Sequence, residues 1–189
     1  MPPENFSMLL DTPICDFGWK APDFSLKNFD GESFNMRENL GDKGLLIAFI
    51  CNHCPYVQRI AQRLSEDTKL LIAEGINVLA VMSNDYQFVE ADSPRSMKQF
   101  AKKYDFPFPY LVDEDQSVGM SYGAICTPDF FGFNKYGELQ YRGRLDNMGM
   151  GDKLDRELEL VNAMRMIAKT NIGPKKQVSS IGCSIKWRE

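Results

Sequence analysis

A chain of 189 residues, 43% hydrophobic and 25% charged, can bury a core of its own, which excludes a mini-protein that depends on staples. A net charge of −4 excludes the basic field that meets nucleic-acid phosphates. No stretch approaches the ~20 apolar residues of a membrane span, and the amino terminus shows no basic cluster leading into an apolar run, so a cytoplasmic protein with no membrane or nucleic-acid partner is expected.

In chain order, "FSLKNFDGESFNM" predicts two short strands about an Asp30-Gly31 turn. "GLLIAFI" (44–50) is a continuous apolar run, the pattern of a strand covered on both faces. After Cys54, the residues Val57, Ile60, Ala61, Leu64 and Leu71 fall at helical spacing, with Pro55 in the first turn and Gly75 as the stop. "INVLAVMS" (76–83) predicts a second buried strand, and "DSPRSMKQFAKKY" a capped helix over about 94–104. "FPYLVD" predicts a third strand and "EDQSVGMSYG" a short helical piece. "TPDFFGFN" and "LQYRGRL" flank "KYGE" as a hairpin, and a helix is expected over roughly 152–168, with Leu154, Leu158, Val161 and Ala168 on one face. Strands alternating with helices and closed by a hairpin predict an α/β fold with a mixed central sheet.

The chemistry concentrates in "FICNHCPYV" (49–57), where two cysteines flank the chain's single histidine. A Cys-x-x-Cys between a buried strand and a helix start puts one sulfur, expected to be Cys51, at the helix N-terminus, where unpaired N–H groups favour a thiolate. Cys54 follows about a turn later, and a protonated His53 would add positive charge beside the pair. Lowering a thiol pKa from ~8.5 to ~7 raises the thiolate fraction at neutral pH from roughly 3% to roughly 50%, but nucleophilicity per thiolate falls about five-fold. Tuning therefore sets redox poise and leaving-group quality more than speed of attack. A structural zinc site needs four ligands, normally in two pairs. Cys126 and Cys183 stand singly, so no metal is expected, and no cofactor is needed, because the electrons travel through the sulfurs. The total of five cysteines is odd, which points to thiols or redox chemistry rather than a disulfide framework.

These pieces together resemble the thioredoxin-like superfamily, in its branch of alkyl hydroperoxide reductase/thiol-specific antioxidant (TlpA-like) proteins. The resemblance covers about residues 18–146. "GWKAPDFSLKNFDGESFNM" is similar to the opening strand pair, "LLIAFICNHC" to the strand entering the active site, and "TPDFFGFNKYGELQYRGRLD" to the closing hairpin. "CNHCPYV" with "SSIGCSIKW" near the end resembles a subgroup that pairs this site with a C-terminal cysteine. The resemblance implies one thioredoxin-fold domain over 1–189, with an N-terminal extension and a C-terminal helix and tail. It implies a thiol-disulfide oxidoreductase in which Cys51 attacks, Cys54 resolves, and His53 tunes the pair. Thr127 and a cis-Pro128 would position substrate, the Thr127 backbone pairing with a substrate strand. The partners would be a protein or small-molecule disulfide or thiol and an electron donor.

The chain also departs from the pattern. Ile50 stands where thioredoxins carry tryptophan, and "GLLIAFI" lacks their buried acid. Asp85 is the substitute proton acceptor, although Asn84-Asp85 also reads as turn chemistry. A peroxiredoxin-like peroxidase is the alternative, with Cys54 as peroxidatic cysteine. Cys51 then replaces that family's threonine, Ile47 its proline and Pro128 its arginine, while Arg142 and Arg144 read as solvated strand residues. Cys126 reads as a packed thiol or a neighbour of the site, and Cys183, which follows a Ser179-Ser180-Ile181-Gly182 turn and precedes a short strand-like end, as a buried tail residue or a third redox thiol. A non-catalytic module that holds extended peptides on Trp19, Tyr56 and Phe88 is the remaining alternative.

Overall fold

In the computed structural model, residues 8–149, 151 and 155–189 are described. The opening hairpin forms as β2 (Ser25–Asn28) and β3 (Ser33–Asn35), after a short strand β1 (Leu9–Asp11) that the sequence pattern did not suggest. A single turn, α1 (Met36–Asn39), leads to β4 (Leu45–Phe49), α2 (Pro55–Ala73) and β5 (Asn77–Met82). Then come α3 (Pro94–Tyr104), β6 (Tyr110–Val112), α4 (Ser117–Tyr122), β7 (Cys126–Thr127) and β8 (Asp129–Phe133). The chain closes with β9 (Leu139–Tyr141), α5 (Glu159–Thr170) and β10 (Ile181–Ser184).

Seven strands form the main sheet in the order β3-β2-β6-β5-β4-β8-β9. The β4–β5 and β5–β6 pairs are parallel and the others antiparallel, giving the mixed sheet of a thioredoxin fold. All five residues of β4 have 0% exposure, as the unbroken apolar run predicts. Leu46 and Ala48 join the cluster built from α2, α3 and α5, whereas Leu45, Ile47 and Phe49 join Val118, Tyr122 and Phe131 on the other face. Each of the leucine, isoleucine and phenylalanine side chains contributes about 1.5–3 kcal/mol by leaving water, so β4 is the fixed rail that ends at the cysteines.

Two expectations need correction. The late helix begins at Glu159 rather than near 152, and the predicted Leu154 lies outside the described residues. Arg156 is drawn across to Asp67 at 2.7 Å and Asp146 at 3.2 Å, which holds the chain non-helical just before α5. The Ile181-Gly182 pair, read as part of a turn, is instead strand. β10 lies between β1 and β7 in a second, three-stranded antiparallel sheet.

Candidate active site

α2 begins at Pro55, and its N-cap residue is Cys54, not Cys51. Proline supplies a preset φ and needs no N–H partner at that position, so the helix cannot start earlier without losing the cap. Cys51 therefore sits in the loop before the helix, at the end of β4. Both sulfurs are buried, with Cys51 1% and Cys54 0% exposed. The Cys51 Sγ lies 3.3 Å from Thr127 Oγ1, and the Cys54 Sγ lies 3.4 Å from the Thr127 carbonyl oxygen. The Thr127–Pro128 peptide bond is cis.

The loop is fixed by a carboxylate that sequence reasoning missed. Asp92 has 0% exposure and sits in a 3-10 turn (Glu90–Asp92). Its Oδ1 accepts from the N–H groups of Asn52 at 2.7 Å and His53 at 3.2 Å. Its Oδ2 meets His53 Nδ1 at 2.5 Å and Asn84 Nδ2 at 2.9 Å. Asn52 completes the clasp, accepting from the Tyr110 hydroxyl at 2.8 Å and donating to the Ala91 carbonyl at 3.0 Å. No local signal marks Asp92, since it acts on residues about forty positions away.

Asp85, the expected proton acceptor, is directed elsewhere. It caps the Gln87 N–H at 3.1 Å and faces Arg188 at 3.4 Å, so the acid standing with Cys51 and His53 is Asp92. Cys126 is buried one residue before Thr127, and burial pushes its thiol up to about 12. Cys183 lies opposite Thr127 in the β10–β7 register, with its thiol in hydrogen-bond contact with Cys54. The edge beside Thr127, expected to receive a substrate strand, is thus taken by β10. Arg142 is not solvated: it is buried against Asp129 at 2.8 Å and lies over the Phe131 ring. Arg144 pairs with Glu159 at 2.7 Å. Of the three aromatics, Phe88 alone is well exposed, while Trp19 packs edge-on against Tyr122 and Tyr56 is half-buried.

The charge of the sulfur pair follows from this geometry. Burial raises the Cys51 thiol well above the ordinary range, its hydrogen bond to Cys54 and the Asp92 carboxylate add to this, and the Thr127 hydroxyl opposes it. Cys54 is lowered, first by the hydrogen bond from Cys51, then by the Cys183 thiol and the Val57 N–H of the helix start, against its burial. The directions are opposite, so within the pair negative charge is favoured on Cys54 over Cys51. These directions run against the thiolate expected on the first sulfur.

Among the described residues, one group could hold a metal ion: Cys51, His53 and Asp92, with ligand atoms within 4.8 Å of one another. Both Asp92 oxygens already accept hydrogen bonds there, from the Asn52 and His53 N–H groups and the Asn84 amide, with His53 Nδ1 against the second oxygen. An apolar cavity of about 310 Å³ flanks the site, lined by Tyr56, Pro128, Phe130, Leu145 and Ile181 among others. No helix among the described residues is long and apolar enough to cross a membrane.

Residues 17–142 match the sequence pattern of the AhpC/TSA family. The chain is 25% identical over 152 residues to a thiol-disulfide oxidoreductase ResA of Halalkalibacterium halodurans, covering 80% of each chain. It is 27% identical over 117 residues to a putative peroxiredoxin bcp of Coxiella burnetii, covering 62% of this chain and 72% of that one. The crystal structure of an uncharacterized conserved protein from Geobacillus kaustophilus superposes with a TM-score of 0.90 at 35% identity, covering 96% of this chain and 97% of the other.

Proposed function

The chain belongs to the AhpC/TSA family, and on that premise we propose that it is a thiol-disulfide oxidoreductase working through Cys51 and Cys54. The observation that carries the reading is that both sulfurs lie buried against Thr127 beside the cis peptide bond, with Cys54 at the N-cap of α2. Relatives named as thiol-disulfide oxidoreductases support it. Cys51 attacks a substrate disulfide as its proton passes to the Cys54 thiolate. The departing substrate thiolate takes that proton, and Cys54 then attacks the Cys51 sulfur of the mixed disulfide and releases the second substrate thiolate, which takes a proton from solvent. One disulfide is reduced to two thiols while the Cys51–Cys54 disulfide forms.

His53 tunes this pair through Asp92: the ring draws on the carboxylate that otherwise opposes negative charge on Cys51. Thr127 positions the sulfurs, and Pro128 lines the cavity where part of a substrate can rest. The odd number of cysteines supports a reducing, cytoplasmic setting. A donor must return two electrons in each cycle.

The decisive experiment follows reduction of a small aromatic disulfide and of insulin by wild type, Cys51→Ser and Cys54→Ser. The expected result is at least a hundred-fold loss in both variants, with Cys54→Ser accumulating a mixed disulfide on Cys51. Equal rates in wild type and Cys51→Ser would overturn the reading and leave the peptide-binding module. The Cys54 thiolate favours a second reading, a peroxidase, which predicts that Cys51→Ser still consumes hydrogen peroxide while Cys54→Ser does not. Arg142 weighs against it, since Asp129 and the Gly123 carbonyl already occupy its guanidinium.

A further inference from the structure

The position in which a thioredoxin-like site would receive an extended substrate strand is filled by the chain's own tail. β10 pairs antiparallel with β7, and its register sets Cys183 opposite Thr127, the residue that touches both active-site sulfurs. The approach is close. A Cβ on Gly182 would meet the Thr127 carbonyl oxygen at 1.9 Å, so glycine at that position lets the strand press onto the site. The tail is also secured on both flanks. Ser180 Oγ donates to the Pro128 carbonyl at 2.8 Å, the Ile185 N–H to the Ile125 carbonyl at 2.9 Å, and the Lys186 N–H to Asn84 Oδ1 at 2.8 Å. Ile185 is 4% exposed within the core, and β1 covers the outer edge of the strand. A segment held this way is a built part of the site rather than a loose lid.

We propose that β10 is a tethered substrate strand and that Cys183 is a third redox-active thiol, forming a disulfide with Cys54. The proposal rests on the oxidoreductase reading only for the origin of the oxidised pair. Starting from the Cys51–Cys54 disulfide left by turnover, Cys183 loses its proton to solvent and attacks the Cys54 Sγ. The Cys54–Cys183 bond forms, the Cys51–Cys54 bond breaks, and the electron pair leaves on the Cys51 Sγ, which takes up a proton. The exchange is isoelectronic and needs no outside oxidant. Its effect is to move the disulfide outward, because Cys183 is 8% exposed against 1% for Cys51, and to return Cys51 to the thiol form. The electron donor then meets the disulfide at the tail rather than at the buried pair.

The test maps disulfides by mass in the full-length chain after oxidation with glutathione disulfide and rapid alkylation. In Cys51→Ser, two thiols are expected to disappear and a Cys54–Cys183 linked peptide to appear, at least ten-fold more abundant than any Cys54–Cys126 peptide. Here Cys54 attacks the glutathione disulfide and Cys183 displaces the second glutathione. Cys54→Ser is expected to form no internal disulfide. If Cys51→Ser keeps Cys183 as a thiol, or ends as a glutathione adduct on Cys54, the proposal fails. Should that variant not fold, oxidised wild type decides: a Cys54–Cys183 fraction supports the proposal, and Cys51–Cys54 alone overturns it. Turnover of the small disulfide by wild type is read separately. Turnover without the tail disulfide refutes this inference and leaves the oxidoreductase reading standing, whereas the tail disulfide without turnover refutes that reading.

Discussion

Asp92 and Cys54 are the two residues on which the charge of the site turns. The hydrogen bond from Cys51 is the largest influence lowering the Cys54 thiol, so removing the Cys51 sulfur must move that titration. Following thiolate absorbance at 240 nm against pH, reduced wild type should show one thiolate well below the ordinary range. Cys54→Ser should abolish it, and Cys51→Ala should shift it upward by about one pH unit or more. An unshifted curve in Cys51→Ala would show that the helix start alone sets the charge. For Asp92, the cost of removal is structural first. Asp92→Ala leaves the buried N–H groups of Asn52 and His53 without their acceptor, an expected loss of about 2–5 kcal/mol in a urea melt.

At the scale of elements, two junctions decide what the sulfurs can do: the start of α2 and the contact between β10 and β7. Pro55 fixes the first by making Cys54 the cap, so the second sulfur rather than the first feels the helix terminus. The second tolerates no side chain at Gly182, where Ala must displace the Thr127 carbonyl or the strand. Gly182→Ala should lower stability by about 1–3 kcal/mol, seen as a drop in urea midpoint at constant slope, and should weaken any contact between Cys183 and Cys54. An unchanged midpoint would mean that the tail is less firmly seated than its hydrogen bonds indicate.

Across the molecule, a buried ion pair under the sheet links stability to pH. Burial pushes the Asp129 carboxyl up to about 6, while Arg142 pulls it back. A carboxyl whose folded pKa lies above its unfolded value of 3.8 binds its proton more tightly in the folded state. Its contribution is therefore most favourable below about pH 3.8 and declines as pH rises through 6, by about 3 kcal/mol at most. Asp129→Asn should flatten this limb of the stability–pH curve even if it lowers stability overall by leaving Arg142 unpaired. A limb as steep as wild type would place the titration elsewhere.

The sequence by itself determined the elements whose burial is local and periodic. The apolar run of β4, the helical spacing after Cys54, the capped α3 and the Cys-x-x-Cys junction were all legible, because each depends on residues a few positions apart. The limits of the late helix were not, since Arg156 is held by Asp67, 89 residues earlier. Only the tertiary structure decided which acid stands beside the cysteine loop and which of the two cysteines caps α2. It also decided what fills the edge beside Thr127. Those contacts join residues separated by 40 positions between Asn52 and Asp92 and by 73 between Cys54 and Thr127. Neither composition nor periodicity carries information over such separations. They are set when folding brings β7 and β10 of the second sheet against the cysteine loop that follows β4, where a short polar side chain becomes a clasp and a tail glycine becomes a point of close approach.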